Sequence, residues 1–390
     1  MKRRAFLSLT GTFTGGALIV PQFLHAFATS KNHGSGSGNQ HVVFIQLNGG
    51  NDGLNTFIPY GNPLYYEARP KIAIAADNII GKNNGMGFHP ALKGLAAIQQ
   101  DGNLSVLQNV GYPNLNRSHF RSQEIWQTAS DTNQYLTNGW LGRYLDIQCQ
   151  DIQPVAGVNL DTIDNLALKG EAPNSMTIKN PRQFRVRKKT YLKESSENNP
   201  QLDFVLKIAQ SVAEGSEEIQ RAMKRSKDGI LYPKSKLGTN LKWMARLIKG
   251  NLNSKVYYTS LGGFDTHNNQ LPLHQRKLTA LDTAVTAFYK DLKAANLMQQ
   301  TTMVIFSEFG RRVHDNGNGT DHGKAAPMFI IGGNQRGKII GSNPNLAALD
   351  EGDLRYDIDF RSVYASILEQ KLNFKASQIG IQKKPLRSLF

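Results

Sequence analysis

One cysteine, Cys149, stands among 390 residues, so no intramolecular disulfide can form and stability has to come from a packed core. Past the N-terminal segment, no run approaches the roughly 20 apolar residues needed to cross a bilayer. Acidic residues are in short supply: 30 Asp and Glu against 46 Lys and Arg leave a formal charge of +16. No internal repeat and no nucleic-acid-binding motif is present, so the charge is not explained by nucleic acid. Much of it clusters at Lys179, Arg182, Arg185, Arg187, Lys188, Lys189 and Lys193, then at Lys224, Arg225 and Lys227. Such a surface draws anionic partners such as envelope polymers, or is simply a solvated basic face.

The N-terminus has the pattern of an export signal. Lys2, Arg3 and Arg4 precede Phe6-Leu7 and a mildly apolar segment, and Ala26-Phe27-Ala28 fits a cleavage site. Paired arginines with modest hydrophobicity point to twin-arginine export over residues 1–28, with the translocase as a transient partner. An ordinary secretory signal or an uncleaved anchor is the alternative. Residues 29–40, rich in Ser, Gly and Asn, read as a flexible linker. The expected location is periplasmic or extracellular, with no transmembrane helix after signal cleavage.

From residue 41 onward, apolar strands alternate with amphipathic helices. Strands are expected at 41–47, 104–110, 256–261, 302–306 and 328–331. Helices are expected near 90–100, 118–128, 278–292 and 360–371. This rhythm predicts an α/β fold, doubly wound, with a mainly parallel sheet and helices on both faces. The region 150–240 breaks the rhythm and reads as an inserted basic cap.

Polar chemistry gathers where four of these strands end. Asp52 sits in Gly49-Gly50-Asn51-Asp52-Gly53 after the first strand, and Arg117-Ser118-His119 follows the second. Gly262-Gly263-Phe264-Asp265-Thr266-His267 follows the third, and Glu308, Arg311, Arg312, Asp321 and His322 follow the fourth. Ligands of open α/β sheets bind beyond the carboxyl ends of the strands. Carboxylates and imidazoles converging there suit a divalent metal, zinc first, with calcium, magnesium or manganese as alternatives. Each motif also has a plainer reading: Ser118 as a helix cap, Asp52 as a turn residue, Glu308 as the partner of an arginine.

The segments LNGGNDGLNTFIPY, FHPALKGL, NRSHFRSQEIW, GGFDTHNNQ, FSEFGRR and GTDHGKAAPMFIIGG resemble those of the exported bacterial proteins called domain of unknown function 1501. That family is similar to the alkaline phosphatase and sulfatase superfamily. The resemblance implies a metal set of Asp52, Asp265, His267, Glu308, His322 and Asp321, with Ser118 as nucleophile. Phe309 departs from it, standing where the superfamily has a metal-binding His. Asp321 compensates, a single metal remains, or catalysis is lost.

The expected function is hydrolysis of phosphate or sulfate esters, with Arg117, Arg311 or Arg312 holding the non-bridging oxygens of an anionic ester substrate. The alternative is a non-catalytic envelope protein that binds anionic polymer through its basic region.

Overall fold

The computed structural model describes residues 40–185, 200–333, 335–387 and 389–390. The expected signal at 1–28, almost all of the linker, and Arg187, Lys188, Lys189 and Lys193 lie outside the described residues. Among those described, no helix is long and apolar enough to cross a membrane.

Among the described residues, twelve strands run as β1 His41–Asn48, β2 Phe57–Ile58, β3 Ile80–Asn83, β4 Met86–Phe88, β5 Leu104–Gly111, β6 Gly157–Asn159, β7 Ser175–Thr177, β8 Val256–Gly262, β9 Thr301–Ser307, β10 Ala326–Gly332, β11 Ile339–Ile340 and β12 Ile358–Asp359. The longer helices are α1 Pro63–Ala68, α2 Lys93–Gln100, α3 His119–Thr128, α4 Trp140–Gln148, α5 Pro200–Arg225, α6 Lys236–Lys249, α7 Gln270–Ala294 and α8 Phe360–Gln370.

The main sheet has the order β11-β5-β10-β9-β1-β8-β6-β7, with β12 also paired to β5. Every pairing is parallel except those of β10, which runs against both β5 and β9. The expected α/β fold with a mainly parallel sheet is present. A separate small antiparallel sheet has the order β2-β4-β3.

Central strands are buried on both faces because their alternate side chains enter different cores. From β1, Val43, Ile45 and Leu47 join the core beneath α2, α6 and α7. Val42 and Phe44 join the other, with Trp126 of α3, Trp140 of α4 and Tyr364 of α8. On β9, Met303 and Ile305 take the first side and Val304 and Phe306 the second. α7 buries Leu278, Leu281, Val285, Phe288 and Leu292, the face its spacing predicts.

The region 150–240 is not set apart as a cap. β6 and β7 extend the main sheet in parallel from β8, and α6 packs into the same core as α7. These strands are three residues long, too short to leave a periodic signal. Nor is the helical part basic: α5 carries Lys207, Arg221, Lys224 and Arg225 against Asp203, Glu214, Glu217 and Glu218.

β1, β5, β8 and β9 run in one direction, so their C-terminal ends share one edge of the sheet. At that edge Gly49 has φ +117°. A Cβ there would fall 2.4 Å from the backbone nitrogen of Asp265, so glycine lets the β1 and β8 loops touch.

Candidate metal centre

Three imidazoles converge on one carboxylate oxygen at this edge. The Nε2 atoms of His267, His322 and His119 lie 3.0, 3.3 and 3.5 Å from Asp265 Oδ1. His267 Nε2 and His322 Nε2 are 3.0 Å apart. Ligand atoms of His119, Asp265 and His322 lie within 4.8 Å of one another. Donors 2.0–2.2 Å from one tetrahedral zinc would stand roughly 3.3–3.6 Å apart.

The far side of each ring fixes which nitrogen faces inward. His119 Nδ1 is 2.8 Å from Glu308 Oε1, His267 Nδ1 is 2.9 Å from Asp321 Oδ1, and His322 Nδ1 is 2.8 Å from the Arg117 carbonyl. An ionised carboxylate and a carbonyl only accept hydrogen bonds, so each Nδ1 carries the proton and donates it. Each Nε2 then offers a lone pair. His119 Nε2 is buried with no hydrogen-bond partner, and in these neutral tautomers the His267 and His322 lone pairs face each other. A cation satisfies all three. The donor set therefore fits a divalent metal, and the carboxylates behind the rings orient the ligands.

The carboxylates around the imidazoles are held ionised. Burial pushes the Glu308 carboxyl up, but hydrogen bonds from His119, Gly49 and Gln123 outweigh it and hold it below the usual carboxylate value. The hydrogen bond to His267 holds Asp321 down as well. Burial also opposes the charge of Asp265, yet the adjacent Arg311 guanidinium brings its pKa down to about 2. The hydrogen bond to Glu308 raises the pKa of His119, whereas burial lowers that of His322.

Of the residues expected on the metal, Asp265, His267 and His322 present atoms to this point, while Glu308 and Asp321 stand behind the imidazoles. Asp52 is not brought to it. Its fully buried carboxylate accepts from Arg69 Nη1 at 2.6 Å and from Gln270, and it caps the short helix at Gly53–Asn55. A buried guanidinium in place of a metal is the reason.

The arginines are also differently employed. Arg311 is buried and donates to the carbonyls of Gly50, Thr320, Gly49 and Phe264 as well as to Asp265. It locks the loops together, and its side chain is fully buried. Arg117 pairs with Asp353, and Arg312 donates to the Glu351 carbonyl. Ser118 is exposed at the N-cap of α3 without a side-chain capping bond, immediately before His119.

His119 is the residue that sequence reasoning passed over. It is the first residue of α3, and the signal was its place after a strand end, one position beyond the favoured Ser118. Phe309 offers no ligand atom; its ring centroid lies 4.8 Å from that of His119 and 5.1 Å from that of His322.

The chain belongs to the family described as Protein of unknown function (DUF1501), which it matches over residues 104–370. No curated protein matches it. Among solved structures it is similar to the C-terminal periplasmic domain of EcEptC from Escherichia coli in complex with Zn. The identity is 13%, over 76% of this chain and 74% of that one, with a TM-score of 0.38. It is also similar to the soluble domain of lipooligosaccharide phosphoethanolamine transferase A from Neisseria meningitidis, at 12% identity over 91% and 96% of the two chains and a TM-score of 0.41. The phosphonate monoester hydrolase of Agrobacterium radiobacter is a further likeness, at 9% identity over 85% and 73% and a TM-score of 0.36. Likenesses this loose assign neither substrate nor mechanism.

Proposed function

We propose that the protein is an exported, single-metal hydrolase of phosphate or sulfate esters. His119, His267, His322 and Asp265 would hold the metal, with zinc the best match to three imidazoles and a carboxylate. When bound, such an ion supplies Lewis acidity toward an ester oxygen and lowers the pKa of a coordinated hydroxyl or water.

The observation that carries this reading is the convergence of three Nε2 lone pairs on Asp265 Oδ1. A cation held among these nitrogens accounts for two imidazole acceptors 3.0 Å apart. The chain's own groups divide the remaining work. Ser118, exposed beside His119, is the candidate nucleophile. Glu308 and Asp321 fix the tautomers of His119 and His267, and Arg311 holds Asp265 ionised and aimed. Export rests on the Arg3-Arg4 segment of the sequence.

The test is turnover of 4-nitrophenyl phosphate and 4-nitrophenyl sulfate by the zinc-loaded protein. The proposal expects hydrolysis of at least one, lost with chelator and restored by metal. Hydrolysis of neither by protein that holds zinc would remove the hydrolase assignment.

A further inference from the structure

Hydrolysis of an anionic ester calls for cations at the site, yet those on its loops are already committed. Arg311 is fully buried and held by backbone carbonyls and Asp265. Arg117 and Arg312 serve the 351–353 loop, and Lys324 pairs with Asp350. Lys277 differs. It is partly buried, and among the described residues its side chain makes no ion pair or hydrogen bond.

Its place follows from helical spacing. Gln270, His274 and Lys277 fall on one face of α7 at positions i, i+4 and i+7. Gln270 reaches Asp52, and His274 Nε2 lies 2.9 Å from Asn51 Oδ1. One turn further along, Lys277 extends over Gly263, at the end of β8. A Cβ on Gly263 would fall 2.5 Å from Lys277 Nζ, and its φ of +96° also favours glycine. Beside it, a Cβ on Gly262 would meet nothing within 4 Å. Gly263 is two residues from Asp265, so chain geometry places Nζ within roughly 11 Å of Asp265 Cα.

Lys277 comes from the helical layer of α7, whereas His119 comes from α3 on the opposite face of the sheet. The ammonium and the metal donors thus stand to either side of the β8 end, with open space at Gly262. We propose that Lys277 is a second anion-binding point and that the site takes esters bearing at least two negative groups. One group lies at the metal centre and the next at Lys277, as along a sulfated or phosphorylated polymer. The inference rests on the metal-centre reading and adds the substrate class to it.

Sulfonates mimic these esters but are not hydrolysed, so binding is measured apart from turnover. Naphthalene-1-sulfonate and naphthalene-1,5-disulfonate are titrated calorimetrically into the zinc-loaded full chain, into Lys277→Gln and into Lys277→Arg, with zinc content assayed on each. The disulfonate is expected to bind the wild type at least about fivefold more tightly than the monosulfonate. Lys277→Gln should erase that preference without changing monosulfonate affinity or zinc content, and Lys277→Arg should keep it. Equal affinity for the two sulfonates, no binding of either, or a preference that survives in Lys277→Gln overturns the inference. Loss of the metal-centre reading would show separately, as wild-type protein that takes up no zinc.

Discussion

Glu308 Oε1 accepts the Nδ1 proton of His119 at 2.8 Å while also accepting the backbone N–H of Gly49 at 2.8 Å. One buried carboxylate thereby ties the end of β9 to the β1 loop and to the first residue of α3. Replacing it with glutamine keeps the shape but weakens its hold on the imidazole proton. Glu308→Gln should lower zinc affinity about 10- to 100-fold with the four ligands intact. Competition with a chromophoric chelator checks this; unchanged affinity would mean that Glu308 does not orient His119.

Asp52 and Arg69 form a fully buried pair at 2.6 Å. Arg69→Met leaves that carboxylate uncompensated and should cost about 3–5 kcal/mol of stability. Zinc stoichiometry measured on the folded fraction of the variant should stay at the wild-type level, because Asp52 is not among the ligands. Loss of metal without loss of stability would restore Asp52 to the metal.

Burial drives the pKa of His274 down to about 3 and that of His89 to about 4. Both are neutral in the folded protein near pH 7, whereas an unfolded histidine takes up a proton as pH falls through about 6.5. Their contribution to stability is therefore complete above pH 6.5 and is lost progressively as pH drops toward 4. The slope approaches about 1.4 kcal/mol per pH unit for each group. Urea unfolding of metal-free protein between pH 7.5 and 4.5 should show this decline, and His274→Gln should make it shallower. An unchanged slope in that variant would exclude His274 as a source.

Ser118 carries no capping bond and precedes His119 directly. If its hydroxyl is the nucleophile, Ser118→Ala should reduce kcat at least about 100-fold with zinc content unchanged. Activity near wild type would leave direct attack by water as the surviving route.

Much of this was legible in the sequence, for physical reasons. Strands buried on both faces, such as β1 and β9, read as continuous apolar runs, and α7 shows its buried face as a helical repeat. The four strand ends were legible because glycine-rich turns punctuate them. The division of labour among acids and arginines was not. Asp52 and Asp265 are both aspartates after a strand, and only the distant Arg69 and Gln270 decide that the first is structural. Glu308 lies beside Arg311 and Arg312 in sequence, yet its partner is His119, from another strand end. β6 and β7 escaped notice because three-residue strands in polar surroundings carry no period.

The most direct measurement is elemental analysis of the full chain purified without chelator, alongside His119→Ala. The wild-type chain should carry one divalent metal, zinc foremost, and the variant should hold it at least about tenfold more weakly. Wild-type protein that carries no metal and takes up none from excess zinc would mean that His119, His267, His322 and Asp265 form no metal centre.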